Sequence, residues 1–303
     1  MQTLYQVEMK EITKTEDAVH TLRQMIHKST DLFNYLVYIL VEITRYAETD
    51  AVNRANKNIV TSDDLQVNKK ILQNTVIERI CATKAYQDFI EEKVKPFDDT
   101  EKHIKRLYAN LLKSQAYQFY IEADASNQNS DKEILTFIYK ELMDADESFN
   151  LHLAEHFSNW EDEYDGILLL MMHYFNKPQA FNLADLLGDV KWKYASDLLQ
   201  SVMNKKEILH EEIINRLRNW EPDRIAILDM IILQLGVSEF LYFETIPPKV
   251  TINEYIDLAK AYSTVHSGQF INGVLDNIHK EFLRQNKMHK IELPAKSSPN
   301  ISN

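Results

Sequence analysis

Glycine is scarce in this sequence, and its scarcity restricts the fold. Five glycines occur among 303 residues, and none precedes Gly166. Tight hairpin turns and phosphate-binding loops both depend on glycine, so the sequence offers few places for either. Walker, Rossmann and G-x-S-x-G patterns are also missing. We therefore predict an all-α fold.

Cysteine pairs and long apolar runs are missing as well. The single cysteine, Cys81, excludes an intramolecular disulfide and a cysteine-based zinc cluster, as expected of a reducing compartment. Charged residues interrupt every apolar segment well before the ~20 residues that a membrane-spanning helix needs. The N-terminus shows no signal-peptide pattern. We expect a soluble, cytoplasmic protein.

Basic residues are outnumbered by acidic ones, and the formal net charge is -12. A surface of this charge repels nucleic acid, so it disfavours unassisted and non-specific binding. Any contact with RNA therefore requires a local patch or a partner that supplies basic surface.

The most informative stretch covers residues 221–276. Residues 225–237 are apolar on nearly every side, which predicts a helix that is buried all round. Pro247 and Pro248 then prevent its continuation. Other elements must therefore surround this helix.

Two amphipathic helices are predicted after the prolines. Thr251 and Glu254 form a T-x-x-E capping box, which predicts a helix beginning there. The next helix is predicted to begin near Ser267. Gly273 lies in its interior, where glycine costs ~1 kcal/mol relative to alanine, so we expect close backbone packing at this position.

These residues resemble a known family. The run IPPKVTINEYIDLAK, followed by FINGVLD, resembles the C-terminal half of the bacterial NusB family, and the opening MQTLYQ is similar to the family's first helix. The resemblance implies a helical bundle of NusB type, with additional helices from an N-terminal insertion. In the family an arginine-rich arm precedes the first helix, and none precedes Met1 here. Either the sequence begins late or the arm is absent.

The resemblance also suggests a domain organisation. We expect residues 1–125 to hold the first NusB-like helix, at 1–11, and a helical insertion or extension. Residues 126–290 would form the NusB-like core, and residues 291–303 a disordered tail. The polar linker at 124–131 is the expected boundary.

Helical patterns run through the expected insertion. One long helix is predicted from residue 15 to about 49, and two more at about 62–93 and 98–123. Farther on, a shift of sixty residues aligns FSNWEDEYDGILLLM with LRNWEPDRIAILDMI. This similarity indicates either an internal repeat or convergence of two similar local structures.

The resemblance implies a non-enzymatic, RNA-binding transcription antitermination factor. Such a protein binds the boxA element of nascent rRNA with the small-subunit ribosomal protein NusE and joins the elongating RNA polymerase. The partner would supply basic surface that this acidic chain lacks. Because the family includes monomers and dimers, a homodimer is a further expectation. The alternative is an RNA-independent helical scaffold or dimeric NusB paralogue, which the missing arm favours.

Five residues are implied to bind RNA. Phe270 occupies the position where the family stacks an aromatic ring on a base, although it could instead close the core. Gln269 is its neighbour. Lys249 matches a basic family position near the RNA. Gln234 and His266 depart from the family, since many members carry arginine at the first position and some carry an acid at the second.

Two residues are implied to bind the protein partner, Tyr5 and Asp229. A carboxylate such as Asp229 is costly inside an apolar helix unless it is paired. It could pair internally, with Arg224 for example, or contact the partner.

Two further patterns have alternative interpretations. His152, Glu155 and His156 match the H-x-x-E-H pattern of zinc hydrolases. No third ligand is identifiable, so a zinc hydrolase is the least favoured function, and we predict no metal and no cofactor. The basic strip near the C-terminus could follow phosphates or form a solvated helix end; it comprises His279, Lys280, Arg284, Lys287, His289 and Lys290.

Overall fold

The computed structural model describes residues 1–57, 61, 68–92, 97–123, 128–217, 224–264 and 266–291. Every regular element in these ranges is helical, which confirms the all-α prediction. None of these helices combines the length and apolar character that crossing a membrane requires. The α-helices are α1 (Gln2–Met9), α2 (Thr15–Ala55), α3 (Thr75–Ala82), α4 (Lys84–Glu92), α5 (Thr100–Lys113), α6 (Gln115–Glu122), α7 (Gln128–Phe137), α8 (Glu147–His156), α9 (Trp160–Asn176), α10 (Gly188–Asn204), α11 (Lys206–Ile214), α12 (Ile227–Tyr242), α13 (Pro248–Tyr262) and α14 (Ser267–Arg284).

The chain divides into two compact units. The terminal unit comprises Met1–Met25 and Asp189–Asn303, and the central unit comprises Ile26–Gly188. Residues 124–127 of the expected linker, and residues 292–303 of the expected tail, lie outside the described residues. The domain boundaries expected from the sequence therefore stay predictions.

The terminal unit is built around α12. As predicted, this helix is buried on nearly every side, because its apolar residues continue around the whole circumference. Gly236 lies at its closest contact, where an added Cβ would be 2.9 Å from Leu275 Cδ2 and 3.4 Å from Tyr255 Cδ2. A side chain at position 236 would therefore displace the buried side chain of Leu275. The expectation of close backbone packing at Gly273 is wrong, since a Cβ there would meet no described atom within 4 Å.

The helix after the two prolines begins earlier than predicted. α13 starts at Pro248, whose fixed φ suits the first helical position, and Pro247 is the N-cap. Thr251 lies in the first turn, where its hydroxyl donates to Glu239 Oε2 at 2.7 Å. The predicted capping box is therefore wrong, because the threonine hydroxyl satisfies a buried carboxylate from α12.

The central unit has a separate core, and the part of α2 that lies in this unit supplies many of its buried side chains. Two helices predicted here are interrupted. Ser114 separates α5 from α6, and its hydroxyl accepts the backbone N–H of Tyr117 at 3.2 Å. Asn74 similarly accepts backbone N–H groups at the start of α3. Good N-cap residues inside apolar patterns therefore divide the predicted helices.

The two similar segments differ in local structure. Residues 164–166 lie within α9, whereas the corresponding residues 224–226 precede α12 and are not α-helical. Residues 218–223 lie outside the described residues. Where both segments are described, their similar sequences therefore have different secondary structures.

Candidate functional site

One face of α14 lines an open groove in the terminal unit. The groove has a volume of about 500 Å³. Its lining residues recur at helical spacing and comprise His266, Gln269, Phe270, Gly273, Val274 and Asn277, together with Arg216 beyond the end of α11. The helix period brings the first six to one side, because residues three, four and seven apart share a face. Three of the five predicted RNA-binding residues therefore meet here: His266, Gln269 and Phe270.

Phe270 connects this groove with the core. Its side chain is partly buried and contacts the apolar core of the terminal unit, while part of the ring lines the groove. Gln269 and His266 are exposed beside it. Phe270 therefore both contacts the core and lines the groove, and its role in RNA binding stays a prediction.

Gly273 keeps the groove open one turn further along α14. An added Cβ would meet no described atom within 4 Å, so packing in the described residues does not require glycine here. Glycine is nevertheless unfavourable in a helix interior by ~1 kcal/mol. What its missing side chain provides is access to the helix backbone beside Phe270.

Asp229 fixes the turn that precedes α14. It is 7% exposed, and its two carboxylate oxygens accept the hydroxyl of Ser263 at 2.7 Å and that of Ser267 at 3.0 Å. Ser267 Oγ also accepts the backbone N–H of Thr264 at 3.2 Å. Asp229 thus has internal partners, and through Ser267 it contacts the first residue of α14, the helix that carries Phe270.

The arginine that lines the groove is already paired. Arg216 Nη1 lies 2.6 Å from Glu212 Oε2, and Arg216 Nε lies 3.1 Å from Glu281 Oε2. Its guanidinium also lies over the ring of Phe282, 5.1 Å from the centroid. Asn277 donates its side-chain N–H to the backbone carbonyl of Arg216 at 3.2 Å. The groove therefore has little uncompensated positive charge.

Several cations of the basic strip also have internal partners. Lys280 pairs with Asp276 at 2.6 Å, and Lys287 pairs with Glu212 at 2.7 Å. Lys290 donates to the backbone carbonyls of Glu239 and Phe243, 2.8 and 2.7 Å away. These carbonyls are at the C-terminal end of α12, which lysine stabilises through the helix dipole. Burial lowers the pKa of Lys290. Internal ion pairs and, for Lys290, a helix-end contact therefore describe these lysines better than a strip of free phosphate ligands.

The remaining predicted residues lie apart from the groove lining. Lys249 is exposed in the first turn of α13, and Tyr5 is 39% exposed on α1. Gln234 is only 4% exposed inside α12, so it presents almost no surface to a ligand in this structure. The predicted roles of Lys249 and Tyr5 stay predictions, and Gln234 is left out of the interface proposed below.

Sequence reasoning missed four residues of this region. Arg216 and Asn277 line the groove, and Ser263 and Ser267 connect its turn to Asp229. Extending the helical period beyond Phe270 would have found Asn277, seven residues later on the same face. The two serines carry no comparable signal, because their partner is distant in the sequence.

One group of side chains in the central unit could hold a metal ion. It consists of Asp99, His152 and His156, whose donor atoms all lie within 4.8 Å of one another. The two histidines are those of the H-x-x-E-H pattern on α8, and Asp99 supplies the third donor that the sequence did not identify. Glu155, the catalytic base in that pattern, is exposed on α8.

Comparison with known proteins places a family match on the later part of the chain. Residues 170–280 match the NusB family model. The match covers α10 to α13, most of α14 and the turn held by Asp229, and thus all described residues that line the groove. No solved structure matches the chain.

Three curated relatives are each named transcription antitermination protein NusB. The protein of Chloroherpeton thalassium is 36% identical over 118 residues, which cover 37% of this chain and 56% of the relative. That of Methylacidiphilum infernorum is 46% identical over 83 residues, 27% of this chain and 58% of the relative. That of Salinibacter ruber is 39% identical over 97 residues, which cover 32% of this chain and 61% of the relative. The chain thus spans less than two thirds of each of these relatives.

Proposed function

We propose that this chain, whose residues 170–280 match the NusB family model, is a non-enzymatic transcription antitermination factor that binds single-stranded RNA in the groove of α14. The RNA would be of boxA type, in nascent rRNA. The ribosomal protein NusE would bind with it, and the assembly would join the elongating RNA polymerase. The observation that carries the proposal is the meeting of His266, Gln269 and Phe270 along one open groove.

The chemistry of the groove suits a nucleobase. A base stacked on the Phe270 ring would gain about 1–3 kcal/mol. The open position at Gly273 allows a flat ligand to approach the helix, while the exposed Gln269 side chain can both donate and accept hydrogen bonds at a base edge. Shape and stacking, rather than charge, would therefore position the RNA.

A partner is needed because the groove has little free positive charge. Arg216 is paired with two carboxylates, and the whole chain has a net charge of -12. Basic surface on NusE would contribute the phosphate contacts, so that each component raises the affinity of the other. Tyr5, exposed on α1, is the proposed protein contact on this chain.

The decisive experiment measures the affinity for a fluorescent boxA RNA by anisotropy, with and without NusE, across a salt series. We expect NusE to tighten binding, and log K to fall with log salt by about 0.7 per phosphate neutralised on a single strand. Phe270→Ala should weaken binding about 5- to 150-fold, which corresponds to the loss of one stacked base. Tyr242→Ala, which removes another partly exposed ring of the same unit, should leave the affinity unchanged.

An RNA-independent scaffold is the second candidate, and the internal pairing of Arg216, Lys280 and Lys287 favours it. On this alternative neither RNA nor NusE binds, and Phe270→Ala changes no affinity. Light scattering after size exclusion would then show whether the chain forms a homodimer. Full RNA affinity in the Phe270→Ala variant would remove the groove from the proposed interface.

A further inference from the structure

The central unit contains a cluster of imidazole and carboxylate groups that the proposed RNA function does not use. His152 and His156 are four residues apart on α8 and share one face of that helix. Asp99 comes from the residue before α5. One donor atom from each of the three side chains can be chosen so that all lie within 4.8 Å of one another.

Asp99 is oriented toward the histidines rather than toward its own helix. It is the N-cap residue of α5, a position where aspartate usually accepts a backbone N–H of the first turn. Its side chain makes no such bond. Its oxygens lie instead 3.0 Å from His152 Nδ1 and 2.9 Å from His103 Nε2.

A second set of contacts fixes the direction of the Asp99 carboxylate. Arg106 Nη2 lies 2.7 Å from His103 Nδ1. Because arginine only donates, His103 Nδ1 must accept, and its proton is therefore on Nε2, which donates to Asp99. Arg106 is held by two hydrogen bonds of 2.8 and 2.7 Å to Asp146, the N-cap of α8. The helix that carries both histidines is thus connected to the carboxylate through ordered polar contacts.

The Nδ1 lone pair of His152 can become available to a cation without leaving a buried polar atom unsatisfied. Its side chain is 1% exposed, and Nε2 lies 2.7 Å from the Tyr35 hydroxyl. With Nδ1–H donating to Asp99, Nε2 accepts from Tyr35. With a cation on Nδ1, the proton is on Nε2 and donates to Tyr35, whose hydroxyl turns to Thr100 Oγ1 at 3.2 Å. Both tautomers of the neutral ring are satisfied.

We propose that Asp99, His152 and His156 form a binding site for a divalent transition-metal ion of the Zn²⁺ class, with water as the fourth ligand. Two imidazoles and one carboxylate suit zinc, whereas Mg²⁺ and Ca²⁺ prefer an all-oxygen set. Tetrahedral zinc with bonds of about 2.1 Å places its ligand atoms about 3.4 Å apart. The site therefore closes by on the order of 1 Å when the ion binds. His103 acts as a positioning residue through its bond to Asp99.

The test is isothermal titration of the full chain, purified without a histidine tag, with ZnCl₂. We expect one ion per chain. Removal of an outer-shell partner of a metal site typically weakens binding about 10- to 100-fold. Loss of a direct ligand in His156→Ala or Asp99→Asn should therefore weaken it by at least about 100-fold. His173→Ala is the matched control, because His173 is an exposed histidine on α9 of the same unit.

Two outcomes overturn the proposal. In the first, the wild-type chain takes up no zinc. In the second, His156→Ala and His173→Ala bind zinc equally well, which would assign the uptake to other surface histidines. Circular dichroism of each variant verifies that the helices are intact. Tetrahedral coordination is checked independently by substituting Co²⁺, whose visible absorption should be intense with the wild-type chain and lost with Asp99→Asn.

Discussion

Within the described residues, hydroxyl groups satisfy buried carboxylates in both units, whereas imidazoles contact a more exposed carboxylate of the central unit. In the terminal unit, Glu239 accepts the hydroxyls of Thr251, Tyr255 and Tyr194, and Asp229 accepts two serine hydroxyls. In the central unit, the fully buried Asp131 accepts the hydroxyls of Thr75 and Tyr120 and the backbone N–H of Thr75. Asp99 of the same unit, by contrast, contacts two imidazoles.

The type of donor distinguishes carboxylates with a structural role from a carboxylate that can help to bind a metal ion. A hydroxyl donates its proton and offers no strong lone pair to a cation. A neutral imidazole can move its proton to the other nitrogen and free a metal-binding lone pair. Hydroxyl-bound carboxylates should therefore affect stability and geometry, whereas the Asp99 cluster should respond to metal ions.

The largest effect is expected at Asp131 in the central unit. Asp131→Ala would leave the backbone N–H and hydroxyl of Thr75 and the hydroxyl of Tyr120 without their acceptor. Buried donors without partners cost about 1–3 kcal/mol each, so the free energy of unfolding should fall by about 3 kcal/mol or more. Urea denaturation followed by circular dichroism measures the change. Asp131→Asn, which keeps one acceptor oxygen, should lose less; equal losses would mean that these hydrogen bonds are not the cause.

Glu239 is the corresponding carboxylate of the terminal unit. Glu239→Gln keeps one acceptor oxygen but removes the charge that strengthens three hydrogen bonds, so we expect a loss of about 1–2 kcal/mol in the free energy of unfolding. Burial, followed by the contact with Glu239, raises the pKa of Tyr194 and that of Tyr255. A spectrophotometric titration should therefore show earlier tyrosine ionisation in the variant. Glu207→Gln, at an exposed site on α11 of the same unit, should change neither quantity.

Ser267 tests whether Asp229 acts through the turn. Ser267→Ala removes one hydrogen bond to Asp229 and the acceptor for the Thr264 backbone N–H. The expected loss of stability is about 1 kcal/mol. Anisotropy should also show weaker RNA binding, because the variant loosens the turn that positions Phe270. Ser158→Ala, at an exposed site in the central unit, is the control. Unchanged RNA affinity would limit the Asp229 network to a structural role.

The smallest change in stability is expected at Gly273, and it has the opposite sign. Gly273→Ala should raise the free energy of unfolding by about 0.5–1 kcal/mol, because alanine loses less backbone entropy in a helix and the position is open. RNA binding should nevertheless weaken, since the methyl group narrows the groove beside Phe270. Gly166→Ala in α9 is an equally open helical site and should raise stability without affecting RNA. Wild-type RNA affinity in Gly273→Ala would show that the open backbone is not used.

Local patterns in the sequence were sufficient for most of the secondary structure. The all-round apolar run predicted the buried α12, and helical spacing after Ser267 predicted α14. Helix starts were less predictable. Thr251 carries a capping signal, but its hydroxyl bonds to Glu239 in a different helix. A capping pattern does not reveal whether a tertiary partner competes for the same side chain.

The candidate sites were predictable only in part, for a related reason. His266, Gln269 and Phe270 meet in the groove because helix periodicity acts over a few residues, and the sequence contains that information. The pairing of Arg216 with two carboxylates, the openness at Gly273 and the distant Ser263 partner of Asp229 depend on how separate helices pack.

The sequence by itself therefore determined the helical class, the buried helix and the face of α14, since each follows from spacing along one helix. Tertiary structure alone decided which side chains from different helices meet. It brought Asp99 to His152, 53 residues away in the chain. Asp99 thereby adds a third donor to the two histidines of the H-x-x-E-H pattern, and the three donor atoms lie within 4.8 Å of one another. Such a meeting depends on the packing of α5 against other helices, which no periodicity within a single segment encodes.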